Sequence, residues 1–330
     1  MIYLVTGGAG FIGANFIHYM FNKFHDEIQI INVDKLTYAA NLPNLESISS
    51  ALIEKSCYIF EQIDICDSEN IERIFRTYKP DYVINFAAET HVDRSIISPQ
   101  IFLKTNVLGT QVLLDASLKY GVRRFHQIST DEVYGSIEEG YFTEQTPLNP
   151  RSPYSASKAS ADLLCQAYYS TYQLPITISR CSNNYGPYQY VEKLIPLVIT
   201  RLLRKESIPV YGDGLNVRDW LHVRDHCDAI EKIIHRGKDG EVYNIGGNNE
   251  WKNIDLIYFL IKKIKSVLAK STQEEYIYNK LITYVEDRKG HDRRYAIDVS
   301  KIREELHWEA KVFFEEGIQE TVTWYLQKEK

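Results

Sequence analysis

The chain has 330 residues, 44% hydrophobic and 25% charged, which is ordinary globular material with ample length for a large core and about two domains. A formal net charge of -6, a pI of about 5.9 and the lack of any basic tract argue against a nucleic-acid or membrane-surface partner. No apolar run reaches the ~20 residues of a membrane span, and five scattered cysteines (Cys57, Cys66, Cys165, Cys181, Cys227) without a C-x-x-C pair read as reduced thiols of a cytoplasmic protein.

The chain opens on an apolar strand at 2–5, with no charged n-region or apolar h-region of a signal peptide. Helical spacing follows at 11–24. Between them lies Thr6-Gly7-Gly8-Ala9-Gly10-Phe11-Ile12-Gly13, which satisfies both G-x-G-x-x-G and G-x-x-G-x-x-G. Glycines there allow a tight turn, close backbone approach to a pyrophosphate and close helix–strand packing. A second run at 28–33 leads into Asp34, about 20 residues on, where an acid can accept hydrogen bonds from a ribose and repel a 2′-phosphate. The cofactor expected is therefore NAD rather than NADP, with Lys35 next door leaving a positive charge to account for.

An irregular polar stretch runs to about 56, then strands at 58–63 and 82–86 flank a helix at 69–78. Asp64 and Ile65 follow the third strand at the expected adenine position. Phe86, Ala87 and Ala88 follow the fourth and leave room for the middle of the cofactor. One long helix is expected over 93–120, carrying Thr105. Next come a strand at 125–128, a helix at 154–172 and a strand at 176–179. Buried strands alternating with helices predict an α/β fold with a doubly wound, mostly parallel Rossmann-type sheet. After Arg180 the rhythm changes, with turns at Gly186-Pro187 and Gly212-Asp213-Gly214, so a smaller mixed α/β substrate lobe is expected. A strand at 241–245 suggests interleaving: 1–182 plus 222–247 for the dinucleotide, 183–221 plus 248–330 for the substrate. The Lys- and Glu-rich segment 262–280 reads as a solvated helix.

Tyr-x-x-x-Lys occurs four times, at Tyr19/Lys23, Tyr154/Lys158, Tyr258/Lys262 and Tyr276/Lys280. Only Tyr154/Lys158 opens a helix just after a sheet strand, at the edge where doubly wound sheets bind ligands. An ammonium one turn from a phenol is expected to lower its pKa, so that Tyr154 accepts a hydroxyl proton while hydride leaves the same carbon. Just upstream, Ser129-Thr130-Asp131-Glu132-Val133-Tyr134-Gly135 places two adjacent acids beside this redox pair. A plain dehydrogenase needs neither, whereas elimination of water next to a new ketone needs a base and an acid. His222 and His226 have metal-like spacing but no third ligand, and read as a structural pair at a helix start; no metal is expected.

These motifs resemble those of the extended short-chain dehydrogenase/reductase superfamily. The finer resemblance is to the dTDP-glucose 4,6-dehydratase family. It is carried by Ala87-Ala88-Glu89-Thr90-His91-Val92-Asp93-Arg94-Ser95, the run from Ser129 to Gly135, Tyr154 to Lys158, Asn183-Asn184-Tyr185-Gly186-Pro187, Glu192-Lys193-Leu194-Ile195-Pro196, Arg218-Asp219-Trp220-Leu221-His222 and Gly290-His291-Asp292-Arg293-Arg294-Tyr295. The resemblance implies a redox-neutral cycle on dTDP-glucose: Tyr154 and Lys158 for oxidation at C4, Thr130 on O4, Glu132 as C5 base and Asp131 as acid for the departing O6. It implies cofactor contacts at Gly7, Gly10, Phe11, Ile12, Gly13, Asp34, Lys35, Leu36, Thr37, Asp64, Ile65, Phe86, Ala87, Ala88, Thr105, Tyr154, Lys158 and Asn184. Substrate contacts are implied at Thr90, Thr130, Asp131, Glu132, Asn183, Lys193, Leu194, Pro209, Val210, Tyr211, Arg218, Asn253, Arg288 and His291, and a homodimer through the helices at 93–120 and 154–172. A rhamnose or other deoxysugar pathway is the implied setting.

Three places depart from the family pattern: Ala40 where Gly is usual, Tyr190-Val191 where Phe-Pro is usual, and Lys289 for Pro between two expected diphosphate ligands. A 4-epimerase or a UDP-sugar decarboxylase shares the turn and the Tyr/Lys pair but has no use for both acids, while a UDP- or CDP-sugar dehydratase stands as a further alternative. A non-catalytic NAD-binding regulator could dispense with all four residues.

Overall fold

The computed structural model describes residues 1–48, 50–268 and 278–328. Its strands are β1 (Ile2–Thr6), β2 (Gln29–Val33), β3 (Tyr58–Glu61), β4 (Tyr82–Asn85), β5 (Arg124–Thr130), β6 (Ile176–Cys181), β7 (Asn183–Tyr185), β8 (Ile208–Tyr211), β9 (Val217–His222), β10 (Val242–Ile245), β11 (Glu250–Lys252) and β12 (Ile282–Val285). Seven form one parallel sheet in the order β10-β6-β5-β4-β1-β2-β3. The order reverses at β1, with β4 on one side and β2 on the other, which opens a ligand crevice beyond the carboxyl ends of these strands.

Period-two alternation explains why the sheet buries both faces. Tyr3 and Val5 enter the core that includes Phe16, Ile17, Met20 and Ile230, while Leu4 enters the opposite one with Ile71, Phe75, Leu113 and Phe125. Phe75 is fully buried, and truncating it to Ala would cost roughly 3–5 kcal/mol. The chain then builds two small sheets, β11-β9-β7 and β12-β8, over a third core of Ile195, Val198, Ile208, Leu256, Leu260, Ile318 and Val322.

The expected helix over 93–120 is broken. Helices Val92–Ile97 and Pro99–Phe102 are separated at Ser98, which sits at φ -137, ψ 73. Pro99 has no N–H to donate and its ring disfavours the helical conformation for the residue before it. A wider π-type segment, Leu103–Gly109, follows before the regular helix Thr110–Tyr120. Gly109 lets this segment approach the sheet, since a Cβ there would lie 2.5 Å from Ile65 Cδ1. Of the expected solvated helix, the part to Val267 belongs to helix Asn253–Val267, and residues 269–277 lie outside the described residues.

Candidate active site

The carboxyl end of each central strand delivers its next residues to one cavity. At Gly7, φ is +70 and a Cβ would stand 2.7 Å from Ala87 N; at Gly13 a Cβ would stand 2.4 Å from Gly7 O. Only glycine fits either place. The helix Phe11–Phe24 starts there with no acid in its first turn, so its N–H groups face the cavity unopposed, as an anion requires. The buried Asp34 carboxylate accepts from Ala9 N (3.0 Å) and Leu36 N (2.8 Å); burial raises its pKa and these two bonds oppose the shift. Lys35 is committed elsewhere, with Nζ 2.7 Å from Asp64 Oδ2. Burial acts to raise Asp64, but Lys35 and the Cys66 N–H bring it below its usual range. Thr37, Ile65, Phe86, Ala88 and Thr105 share the wall, Thr105 through the π-type segment. Leu36 does not line it, because its side chain packs into the core and only its N–H serves the site. A glycine cradle, a helix start and an acid at the second strand fit a dinucleotide, and the Lys35–Asp64 pair engages the lysine beside Asp34 that would otherwise favour a 2′-phosphate.

Thr130, Asp131, Glu132, Tyr154 and Lys158 all border the same cavity. The helix Pro153–Tyr172 is pinned by a reciprocal cap: Ser152 Oγ accepts from Ser155 N and Ser155 Oγ accepts from Ser152 N, both at 3.0 Å, with Pro153 at the first position. Tyr154 and Lys158 thereby fall one turn apart on the buried face. Lys158 Nζ donates to Ile128 O at 2.6 Å, and burial lowers its pKa. The Tyr154 phenol runs against expectation. Burial lifts its pKa well above normal and the Glu132 charge adds to this, while the Thr130 hydroxyl pulls the other way. The local Tyr/Lys spacing does not register either the enclosure or the neighbouring carboxylate.

The two acids differ in their surroundings. Thr130 caps the turn Asp131–Tyr134, accepting from Glu132 N and donating to Asp131 Oδ1, each at 3.3 Å. Asp131 Oδ2 is buried without a partner among the described residues. Burial, then the Glu132 charge, push Asp131 well above the carboxylate range. Burial also raises Glu132, but Arg218 and Lys193 act to keep it ionised. Both carboxyls are thus raised, Asp131 the more strongly because the Glu132 charge adds to burial there, whereas at Glu132 the nearby cations oppose the shift. Beneath the turn, a buried ion pair (Arg180 Nε to Asp162 Oδ2, 2.9 Å) continues through Arg180 Nη1 to Tyr134 OH, which donates to Asn244 Oδ1, each at 2.9 Å.

Of the expected substrate contacts, Thr90, Asn183 and Lys193 join the cavity, as does the cofactor candidate Asn184, and Lys193 Nζ donates to Thr90 O at 3.3 Å. Leu194, Pro209, Val210, Tyr211, Arg218, Asn253, Arg288 and His291 do not line it. Val210 is a core residue, Leu194 packs on that core, and Asn253 opens a helix. Arg218 and Arg288 stand close enough for their charges to act on Glu132. Arg218 lies 4.1 Å over the Tyr295 ring and donates to Val217 O and Asp292 O. Arg288 lies 4.4 Å over Tyr211, and His291 Nδ1 is 2.6 Å from Asp287 Oδ1.

Several residues of this region escaped sequence reasoning. Asn106 accepts from Glu89 N and donates to Glu89 O and Ser157 Oγ, tying the loop after β4 to the helix Pro153–Tyr172. Glu89, Cys181, Ser182 and Glu192 line the cavity, as do the departures Ala40 and Tyr190; Val191 and Lys289 are exposed. His222 and His226 serve separate partners: His222 Nδ1 accepts from Arg224 N, and His226 Nδ1 lies 2.9 Å from Asn184 Oδ1.

Sheet order and cavity are those of the short-chain dehydrogenases/reductases. Comparison narrows the class. The family model described as GDP-mannose 4,6 dehydratase matches residues 4–321. A dTDP-glucose 4,6-dehydratase of Salmonella typhimurium is 48% identical over 98% of this chain and 92% of its own length. The crystal structure of a Bacillus anthracis dTDP-glucose 4,6-dehydratase in complex with NAD is 50% identical, with a TM-score of 0.87 over 100% of this chain and 97% of that one. A Streptomyces venezuelae dTDP-glucose 4,6-dehydratase with NAD and TYD bound gives 44% identity and a TM-score of 0.91 over 99% and 97%. The chain belongs to the dTDP-glucose 4,6-dehydratases, a family of NAD-dependent hydro-lyases.

Proposed function

We propose that the cavity converts dTDP-glucose to dTDP-4-keto-6-deoxyglucose and water, with the residues in the following roles. Bound NAD supplies a reversible hydride acceptor that is restored within each turnover. Thr130 and Tyr154 hold O4, and Tyr154, as the phenolate, takes its proton as C4 is oxidised; burial and the Glu132 charge disfavour that form, so positive charge at the loaded site must favour it. Lys158 supplies a fixed positive charge one turn away. The C4 ketone acidifies the C5–H bond, and Glu132 removes that proton. Asp131 hands its proton to O6, which leaves as water. After hydride returns to C6 and a proton to C5, the proton gained by Tyr154 balances the one given by Asp131.

The observation that carries this reading is the contrast between the acids: Asp131 enclosed with one oxygen unpartnered and raised further by Glu132, Glu132 near Arg218, Lys193 and Arg288. A 4-epimerase has no step for a protonated carboxyl there. The test is to incubate the purified protein with dTDP-glucose and no added reductant. The 4-keto-6-deoxy product should form without net NADH, and stoichiometric NADH would mean a simple dehydrogenase.

On the substrate side, Arg218, Arg288 and His291 are assigned to the diphosphate, and Tyr211 to the pyrimidine by stacking. The division into 1–182 plus 222–247 and 183–221 plus 248–330 is supported by β10, which returns to the large sheet after the small ones begin. A homodimer is proposed from exposed Leu103, Leu108, Leu163 and Tyr172 on the packed segments around 92–120 and 153–172. Five free cysteines support a reducing, cytoplasmic setting, and among the described residues no helix is long and apolar enough to cross a membrane.

A further inference from the structure

Arg288 is held from one side only. Its Nε stands 2.8 Å from Asp93 Oδ1, an ion pair without the alignment of an N–H hydrogen bond, in the short helix Val92–Ile97 contributed by the large sheet's half of the chain. Its guanidinium carbon lies 4.4 Å from the centre of the Tyr211 ring. The second Asp93 oxygen closes the figure, accepting from Tyr211 OH at 3.3 Å, with His91 Nε2 at 3.5 Å from the same oxygen. Among the described residues, the terminal nitrogens of Arg288 donate no hydrogen bond to protein. Both arginine and carboxylate are partly buried, with side-chain exposures of 25% and 30%.

Resting on the reading of Arg288 as a diphosphate ligand, we propose that Asp93 is a positioning residue for nucleoside-diphosphate recognition. A guanidinium is planar, so a carboxylate charge at its Nε end and an aromatic ring against its plane restrict where both terminal nitrogens point. Those nitrogens form the edge that grips phosphate oxygens in pairs. An unheld arginine would have to give up rotamer freedom at the moment of binding; one already clamped gives up little. Asp93 therefore acts through Arg288 and touches neither the sugar nor the reacting atoms. Its carboxylate charge is matched by the guanidinium, so it does not repel the incoming anion.

The experiment uses the NAD-loaded enzyme and two probes, dTDP and thymidine, titrated by calorimetry. In Asp93→Asn the Kd for dTDP should rise roughly tenfold, with thymidine binding and NAD content unchanged. In turnover, KM for dTDP-glucose should rise by a similar factor while kcat stays within about twofold. Arg288→Gln should weaken dTDP on its own, and adding Asp93→Asn to it should cost nothing further. Equal losses for dTDP and thymidine in Asp93→Asn would mean a disturbed loop and would overturn the proposal, as would additive losses in the double variant. Unchanged dTDP binding in Arg288→Gln would instead remove Arg288 as a diphosphate ligand, and the role of Asp93 with it.

Discussion

Lys35 and Asp64 close on each other at 2.7 Å beside the Asp34 carboxylate. The pair engages the lysine next to the acid assigned to the adenosine ribose, so a 2′-phosphate would meet Asp34 without compensation from Lys35. Asp64→Asn should free Lys35 and raise the affinity for NADP relative to NAD by roughly two- to fivefold, the worth of one partly exposed charge. The check is a pair of titrations on the same variant, and an unchanged NADP to NAD ratio would contradict the reading.

Asp131 should make the folded protein less stable as pH rises. Its folded pKa lies well above the unfolded carboxylate value because burial and Glu132 disfavour the charge. Above the unfolded value of about 3.9, the folded state thus holds the proton more tightly than the unfolded state, so stability declines with pH until the folded pKa is passed. Asp131→Asn removes that dependence. Its Tm should match the parent near pH 4 and exceed it progressively toward pH 8, while dehydration falls by roughly 10²- to 10⁴-fold through loss of the acid. A Tm difference that is flat with pH would mean Asp131 is not held protonated.

Glu132→Gln separates the redox step from elimination. The variant keeps Tyr154, Lys158 and Thr130, so it should still oxidise C4 and accumulate bound NADH on mixing with dTDP-glucose. It should fail to exchange the C5 proton with deuterated solvent. Normal deuterium uptake at C5, read by NMR, would take Glu132 out of the base role.

What was legible in the sequence was local. The Gly-rich turn and Asp34 follow from spacing around strand ends, and Tyr154/Lys158 stood out among four like motifs by following the strand that carries Thr130. What was not legible depends on enclosure or on residues far apart in the chain. The raised Tyr154 pKa comes from burial and Glu132, the Lys35–Asp64 pair joins the ends of two strands, and Asp93 meets Arg288 only when the small sheets close over the large one. The break at Ser98 was signalled locally by Pro99, but the apolar and polar spacing on either side continued through it and masked it.

The exposed apolar side chains of Leu108 and Leu163 lie on neighbouring segments, on the face proposed for the homodimer. Leu108→Lys with Leu163→Lys places charge on that face while sparing the cavity. Sedimentation should report a dimer for the parent and a monomer for the variant. A variant that sediments as the parent does would remove these helices as the interface.

The most direct measurement follows hydrogen rather than protein. With dTDP-glucose deuterated at C4 and turned over in ordinary water, the label should appear at C6 of the 4-keto-6-deoxy product, carried there within one active site. Label that stays at C4 of an epimerised sugar, or that collects in free reduced cofactor, would contradict the account.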